Sequence, residues 1–175
     1  MNLYTEKDES GPSCEFKENL SILREISFFS EQPIDVLKVL AYLCRRETFK
    51  AGEYLFRQKD DDGQAFFIIC GQARLEYEDD KKAMAIREIE SGVFLGSLAL
   101  LGKAPRLFSL KALTETTCLI ITREKVSKVL EQFPDILPRM LKALVSSVNA
   151  WEERFLLDSD KGCENCIKRI GVSMV

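Results

Sequence analysis

Two segments of this 175-residue chain combine residue types at spacings that could do chemistry. In residues 92–112, GVFLGSLALLGKAPRLFSLKA, Gly96 and Ser97 open a short helical turn that Gly102 closes, and Pro105 and Arg106 stand just before the next strand-like run. The first turn of a helix presents unpaired N–H groups and a partial positive charge, and a nearby arginine adds a fork that grips two oxygens of one anion. The segment therefore reads as an anion pocket or, on residue types alone, as the commoner capped surface turn with a solvated arginine. The second segment is C-E-N-C, Cys163 and Cys166, where two thiolates two residues apart can share a metal or cycle as a disulfide. Zinc asks for four ligands, and the chain has no histidine and no second such pair, so the others would fall to Cys14, to carboxylates or to another subunit. We expect no metal site, with Cys163 and Cys166 only weak candidates.

The composition narrows the chemistry further. Without histidine there is no Ser–His or Cys–His nucleophile pair and no histidine acid or ligand, and no motif places paired carboxylates, so an enzyme is not expected. A net charge of -3 has the wrong sign for a surface that clamps a phosphate backbone, so no nucleic acid partner is expected. The first twenty residues hold no apolar stretch, and no later run approaches the ~20 apolar residues that span a bilayer. A cytoplasmic protein without a membrane partner is the expectation. Cys44, Cys70 and Cys118 each sit in apolar surroundings and read as buried thiols acting as small hydrophobes.

The elements that must position the first segment follow from periodicity. Residues 1–15, rich in Glu, Asp, Ser, Gly and Pro, read as a flexible arm. Two helical stretches are expected over 16–46, the second capped by Ser30 with Pro33 in its first turn and Ile34, Leu37, Leu40, Ala41 and Cys44 on one side. Over 47–122, short runs (YLFR, AFFIIC, ARLEY, AMAIREI, LFSLKAL, TCLIIT) separated by KDDDG, CGQ, DDKK and ESG predict an antiparallel sandwich or barrel. Phe66 to Cys70 reads as buried on both faces, and Ala73, Leu75 and Tyr77 as the inner side of a strand whose Arg74 and Glu76 face water. Helices are expected over 123–157. Thr122 caps a short one bearing Val126, Val129, Leu130 and Phe133, and Asp135 caps a long one with Pro138 in its first turn. Leu137, Leu141, Leu144, Val148, Trp151 and Phe155 repeat there at spacings of four and three, an a/d seam able to pack on the domain or to zip to a second copy, so a homodimer is expected. A second line, Ile136, Met140, Ala143 and Val145, leaves only one side of that helix wet. Residues 158–175 form a tail.

The segment at 92–112 resembles the phosphate-binding cassette of cyclic nucleotide-binding domains, the family of the catabolite activator protein and of regulatory modules in cyclic-nucleotide-dependent kinases and channels. In outline that cassette reads F-G-E-[LI]-[AS]-L-[LM], a spacer, then P-R-x-[AT]-[ST]-[VI]. Residues 95–101 stand on its first half and residues 105–110 on its second. LREISFFSEQPIDVLKVLAYL resembles the family's opening helices and FKAGEYLFRQKDDDGQAFFIICGQARLEY its first strands, with Gly52, Asp60 and Gly71 at turn positions. The resemblance covers about residues 20 to 157 and implies a mainly β fold with flanking helices: a jelly-roll-like, double-stranded β-helix or β-roll of eight strands, followed by a long C-terminal helix. It implies a cyclic nucleotide ligand, cAMP or cGMP, with Arg106 on the phosphate and Gly96, Ser97, Leu98, Ala99, Leu107 and Phe108 around it, several through backbone N–H groups. Two positions depart from the pattern. Ser97 replaces the acidic residue that accepts the ribose hydroxyl, forfeiting a charge-assisted bond of ~1.5–3 kcal/mol. Phe108 replaces a small residue where the base or phosphate would lie, which leaves another anionic metabolite, or a ligand-free interaction scaffold, as alternatives. In transcription factors of this family a helix-turn-helix module follows the long helix; with only residues 158–175 beyond it, the expectation is a stand-alone sensor that signals to a separate effector protein.

Overall fold

The computed structural model describes residues 12–79 and 82–159. Three helices come first: α1 (Pro12–Glu25), α2 (Ser27–Ser30) and α3 (Ile34–Leu43). Strands β1 (Arg45–Phe49), β2 (Tyr54–Phe56), β3 (Gln64–Cys70), β4 (Ala73–Asp79), β5 (Lys82–Ile89) and β6 (Phe94–Leu95) follow. Helix α4 (Ser97–Leu101) leads to β7 (Ser109–Ala112) and β8 (Thr116–Thr122), and α5 (Arg123–Gln132), a 3₁₀ turn (Pro134–Ile136) and α6 (Leu137–Ser159) complete the order. The strands form two antiparallel four-stranded sheets, β1-β8-β3-β6 and β2-β7-β4-β5. This is the β-roll with flanking helices that the sequence predicts.

Each sheet buries one face against the other because side chains alternate along a strand. Phe49, Leu55, Phe56, Phe66, Ile68, Leu110, Cys118 and Ile120 fill the space between the sheets. A second core lies outside the roll. There Leu23, Phe29, Leu37, Leu40 and Leu100 meet Ile121, Val126, Val129, Ile136 and Met140. Strand β8 serves both cores, with Cys118 and Ile120 turned inward and Ile121 turned to the helices.

Several sequence expectations need correction. Helix ends at Leu43, because Cys44 is extended (φ -63°, ψ 155°) and Arg45 already pairs with Ile120. Strand β1, RRETF, has no clear apolar alternation and is formed by its long-range pairing. Ser30 does not cap α3, whose N-cap is Pro33; its hydroxyl donates to Ser27 O inside the small helix α2. Asp135 lies in the 3₁₀ turn before α6. Thr122 does cap α5, its hydroxyl accepting from Lys125 N at 3.4 Å. The strand buried on both faces is β8 rather than β3, where Ile69 is half-buried and Cys70 exposed. A register shift between Ile68 and Cys70 turns the Cys70 thiol outward, so it is not the buried thiol its neighbours suggest. On β4, Glu76 is the buried residue and Tyr77 the exposed one. Glu76 is covered because Arg74 (2.8 Å) and the Tyr54 hydroxyl (3.3 Å) close over it.

Helix α6 is anchored by its first turns. Ile136 and Met140 are fully buried, and Ala143 and Leu144 pack on the same core. Each full burial contributes roughly 1.5–3 kcal/mol, against about 0–1 for the exposed Lys142–Glu31 ion pair beside them, so apolar packing holds the root. Leu137, Leu141 and Trp151 of the expected seam are exposed, and Leu144 and Val148 half-buried. Val145 is 59% exposed and so leaves the docked line that the sequence assigns it to. Residues 12–15 of the expected arm form the first turn of α1, and α6 runs two residues into the expected tail, to Ser159; the side chain of Phe155, residues 160–175 with Cys163 and Cys166, and residues 1–11 lie outside the described residues.

Two predictions follow from this packing. Gly71 has φ +94°, and a Cβ there would sit 2.4 Å from Glu115 O, whereas Gly102 has open space. Urea unfolding should therefore show Gly71→Ala costing about 2–4 kcal/mol and Gly102→Ala less than about 0.5. Burial pushes the thiols of Cys118 and half-buried Cys44 up to about 12, so they stay protonated while Cys70 is open to solvent. Alkylation of the folded protein at pH 8, mapped by peptide mass, should modify Cys70 at least about 100-fold faster than either.

Candidate functional site

The anion-pocket segment folds as its residue types suggest. Strand β6 ends at Leu95, and the chain turns through Gly96 at φ +94° into α4. A Cβ on Gly96 would lie 2.7 Å from Arg106 Nη1 and 2.8 Å from Gln64 O, so both the backbone angle and the close approach require glycine. Ala99 and Leu100 are buried, Leu100 fixes α4 to the helical core, and Leu98 points out at 61% exposure. The Ala99 N–H closes onto Gly96 O at 3.0 Å and is thereby engaged within the turn.

Arg106 is brought beside Gly96 by the opposite loop. Its N–H donates to Asp60 O at 2.8 Å, and its carbonyl accepts from Lys59 N at 2.8 Å. The side chain then passes inward, 9% exposed, with its guanidinium carbon 4.1 Å from the centre of the Phe56 ring and 5.7 Å from that of Phe66. Nε and Nη2 donate to the two Asp62 oxygens at 3.2 and 2.7 Å, and Nη2 also donates to Gln64 O. Nη1, with two further donors, lies against Gly96, and among the described residues no acceptor takes it.

The acidic run at 60–62 is therefore divided among three tasks. Asp60 accepts from Arg57 N at 2.9 Å and closes the turn. Asp61 pairs with Arg123, whose hydrogen bond holds the Asp61 carboxyl below the usual aspartate range against a smaller opposing effect of burial. Asp62 neutralises Arg106. Of these only Asp60 is noticed in the sequence, as a turn residue. The missed signal is a run of three acids entering a buried strand in a chain whose candidate site holds a lone arginine.

A cavity of about 250 Å³ opens next to Arg106. Phe56, Leu75 and Leu95 bound it on the roll side, residues 96–99 on the cassette side and residues 104–108 on the third. Thus Gly96, Ser97, Leu98, Ala99, Arg106, Leu107 and Phe108 are gathered around one space. Phe108, 37% exposed, stands at its edge and leaves it open. The walls are apolar apart from Ser97, Arg106 and backbone, and no carboxylate lines them. The volume lies just under the ~300–1,000 Å³ usual for small-molecule sites. Behind Ser97 a wider hollow of about 650 Å³ runs between Ser27 and Phe28, Val93 and Phe94, and Ser147 of α6. Among the described residues no three Cys, Asp or Glu side chains are grouped to hold a metal ion, and no helix is long and apolar enough to cross a membrane.

Comparison with known proteins agrees with this architecture. The family model described as "Cyclic nucleotide-binding domain" matches residues 46–133, half of the chain. A cGMP-dependent protein kinase of Plasmodium berghei is 29% identical over 134 residues, which cover 75% of this chain and 15% of the kinase. The solved structure of a cyclic nucleotide-binding-like protein from Brucella abortus is 30% identical, with a TM-score of 0.60, covering 65% of this chain and 98% of that one. The regulatory domain of Toxoplasma gondii PKA, crystallised with cAMP, shares the fold with a TM-score of 0.60 at 17% identity, over 74% of this chain and 51% of that one.

The ion pair at the centre of the site generates a prediction that needs no ligand. Asp62 and Arg106 are 16% and 8% exposed, so removing one partner strands the other's charge. Arg106→Ala should lower the unfolding free energy in urea by about 3–5 kcal/mol, and Arg106→Met with Asp62→Leu should cost less than either single truncation.

Proposed function

Because the chain belongs to the cyclic nucleotide-binding domain family, we propose that it is a non-catalytic regulatory module that takes cAMP, cGMP or a related small anion in the cavity beside Arg106. The observation that carries this reading is the divided guanidinium. Asp62 holds one edge of Arg106 in place, and Nη1 remains to donate to a phosphate oxygen at the wall formed by Gly96. An arginine fixed by a carboxylate and stacked on Phe56 is pre-organised, so little side-chain entropy is lost when an anion arrives. Leu98, Leu107 and Phe108 line the same cavity, and its apolar walls suit the flat face of a base.

Ser97 stands where a ribose hydroxyl would be read. A serine offers an uncharged partner in place of a carboxylate, which weakens that contact by ~1.5–3 kcal/mol, or roughly one to two orders of magnitude in affinity. Output runs through α6 in this reading. The helix is held at Ile136 and Met140, and the hollow between Ser147 and Phe94 gives its middle turns room to close toward the roll. The exposed stripe Leu137, Leu141 and Trp151, continued by Leu144, Val148 and Phe155, is the surface we assign to a homodimer, with a separate effector protein receiving the signal. Neither a membrane nor nucleic acid partner belongs to this reading, which places the protein in the cytoplasm.

A second reading rests on the Asp62–Arg106 pair itself. A site whose arginine already has its counter-ion is stable without a ligand, as expected of a scaffold that works only through α6. Calorimetric titration separates the two. The sensor reading expects saturable heat with cAMP or cGMP, and Ser97→Glu should tighten binding by about 10- to 100-fold. If neither the native protein nor Ser97→Glu releases heat with either nucleotide, the scaffold reading stands, and light scattering should then show a dimer that Leu141→Glu dissociates.

A further inference from the structure

Arg123 opens α5, where a cation faces the positive end of the helix dipole and gains nothing from it. Its contacts explain its place. The backbone N–H donates to Gly63 O at 2.6 Å, Nε donates to Ala99 O at 2.7 Å, and Nη2 pairs with Asp61. Ala99 belongs to the cassette helix, while Asp61 and Gly63 flank Asp62, the residue that holds Arg106. One residue therefore ties the cassette side of the cavity, at Ala99, to the 60–63 loop that anchors Arg106, from the first position of the helix that leads to α6. The packing runs the same way, since Leu100 of α4, Val126 and Val129 of α5, and Ile136 and Met140 at the root of α6 share one core.

We infer that Arg123 is a positioning residue that couples the state of the cassette to α5 and α6; the inference rests on reading the cavity beside Arg106 as the ligand site. An anion that binds Nη1 draws on the same guanidinium that Asp62 holds. A change in that pairing moves the 60–63 loop, and Arg123 transmits the shift to the start of α5 together with any displacement of Ala99. Without the Arg123 side chain, α4 still packs through Leu100 and the backbone N–H at position 123 still meets Gly63 O, but among the described residues no other polar side-chain contact joins the start of α5 to Ala99 of the cassette helix.

The test is a double-mutant cycle read in α6 without ligand, so that it does not depend on which anion binds. Asp62→Asn keeps the shape of the loop and weakens its hold on Arg106, while Arg123→Gln keeps the stem and removes the fork. Hydrogen exchange of α6 amides, and the emission of Trp151, the chain's single tryptophan, report the helix. Asp62→Asn should change α6 exchange by about five-fold or more in the native background and by less than about two-fold in the Arg123→Gln background. An equal effect in both backgrounds, or no effect of Asp62→Asn on α6, overturns the inference. A structural role alone would lower stability in Arg123→Gln without removing the dependence on Asp62. If Arg123→Gln does not fold, Arg123→Lys, which keeps the charge facing Asp61 but cannot also span to Ala99 O, takes its place with the same outcomes. Calorimetry with cAMP and cGMP on the native protein runs in parallel: absent heat removes the ligand reading, while the cycle alone decides the coupling.

Discussion

The site depends on a charge that is brought indoors and answered there. Arg106 crosses the wall of the roll with its guanidinium over Phe56, and an unpaired cation at that depth would be costly enough to pull the segment out. Asp62 makes the position tenable. The same pairing fixes the orientation of the arginine, so that one edge is spent on the protein and one remains beside Gly96. A lysine could not divide itself this way, because its single ammonium has no second, geometrically fixed edge. The glycine, the aromatic ring and the acidic run are each consequences of housing that one group.

Around this centre the fold keeps two apolar compartments. The inner one stiffens the roll, and the outer one joins the opening helices to α5 and the root of α6. The cassette helix touches both worlds: Leu98 and Ser97 face the cavity, whereas Leu100 is sunk among the helices. A five-residue helix has little stability of its own, so its position is borrowed from the helices behind it.

The β-roll was legible because six of its strands carry branched and aromatic runs between strong turn signals, and the cassette because residues 95–101 and 105–110 together resemble a family pattern, whereas Gly96, Pro105 and Arg106 by themselves read equally as an ordinary surface turn. What escaped was set by distance in space. Strand β1 has no pattern of its own and exists by pairing with β8. Strand β6, two residues long, is too short to carry a period. Cys70 sits in an apolar word, FFIIC, yet a single register shift exposes it. Glu76 reads as a surface residue until Arg74 and Tyr54 are seen to close over it. Asp62 is the instructive omission, because nothing adjacent in the chain distinguishes it from Asp60 and Asp61; only the fold assigns each a different partner. The seam on α6 was visible as a repeat, but which of its two apolar lines meets the domain depended on the docking of Ile136 and Met140.

Strand β8 carries Ile120 and Ile121 side by side, one in each compartment. Along β8 the two interiors are thus separated by the thickness of a single polypeptide backbone. Neither can loosen by itself: swelling on one side removes the wall against which the other is packed. The roll and its helices should accordingly melt as one cooperative unit, and any strain stored in the chamber beside Arg106 is borne by the same strand that supports the helices.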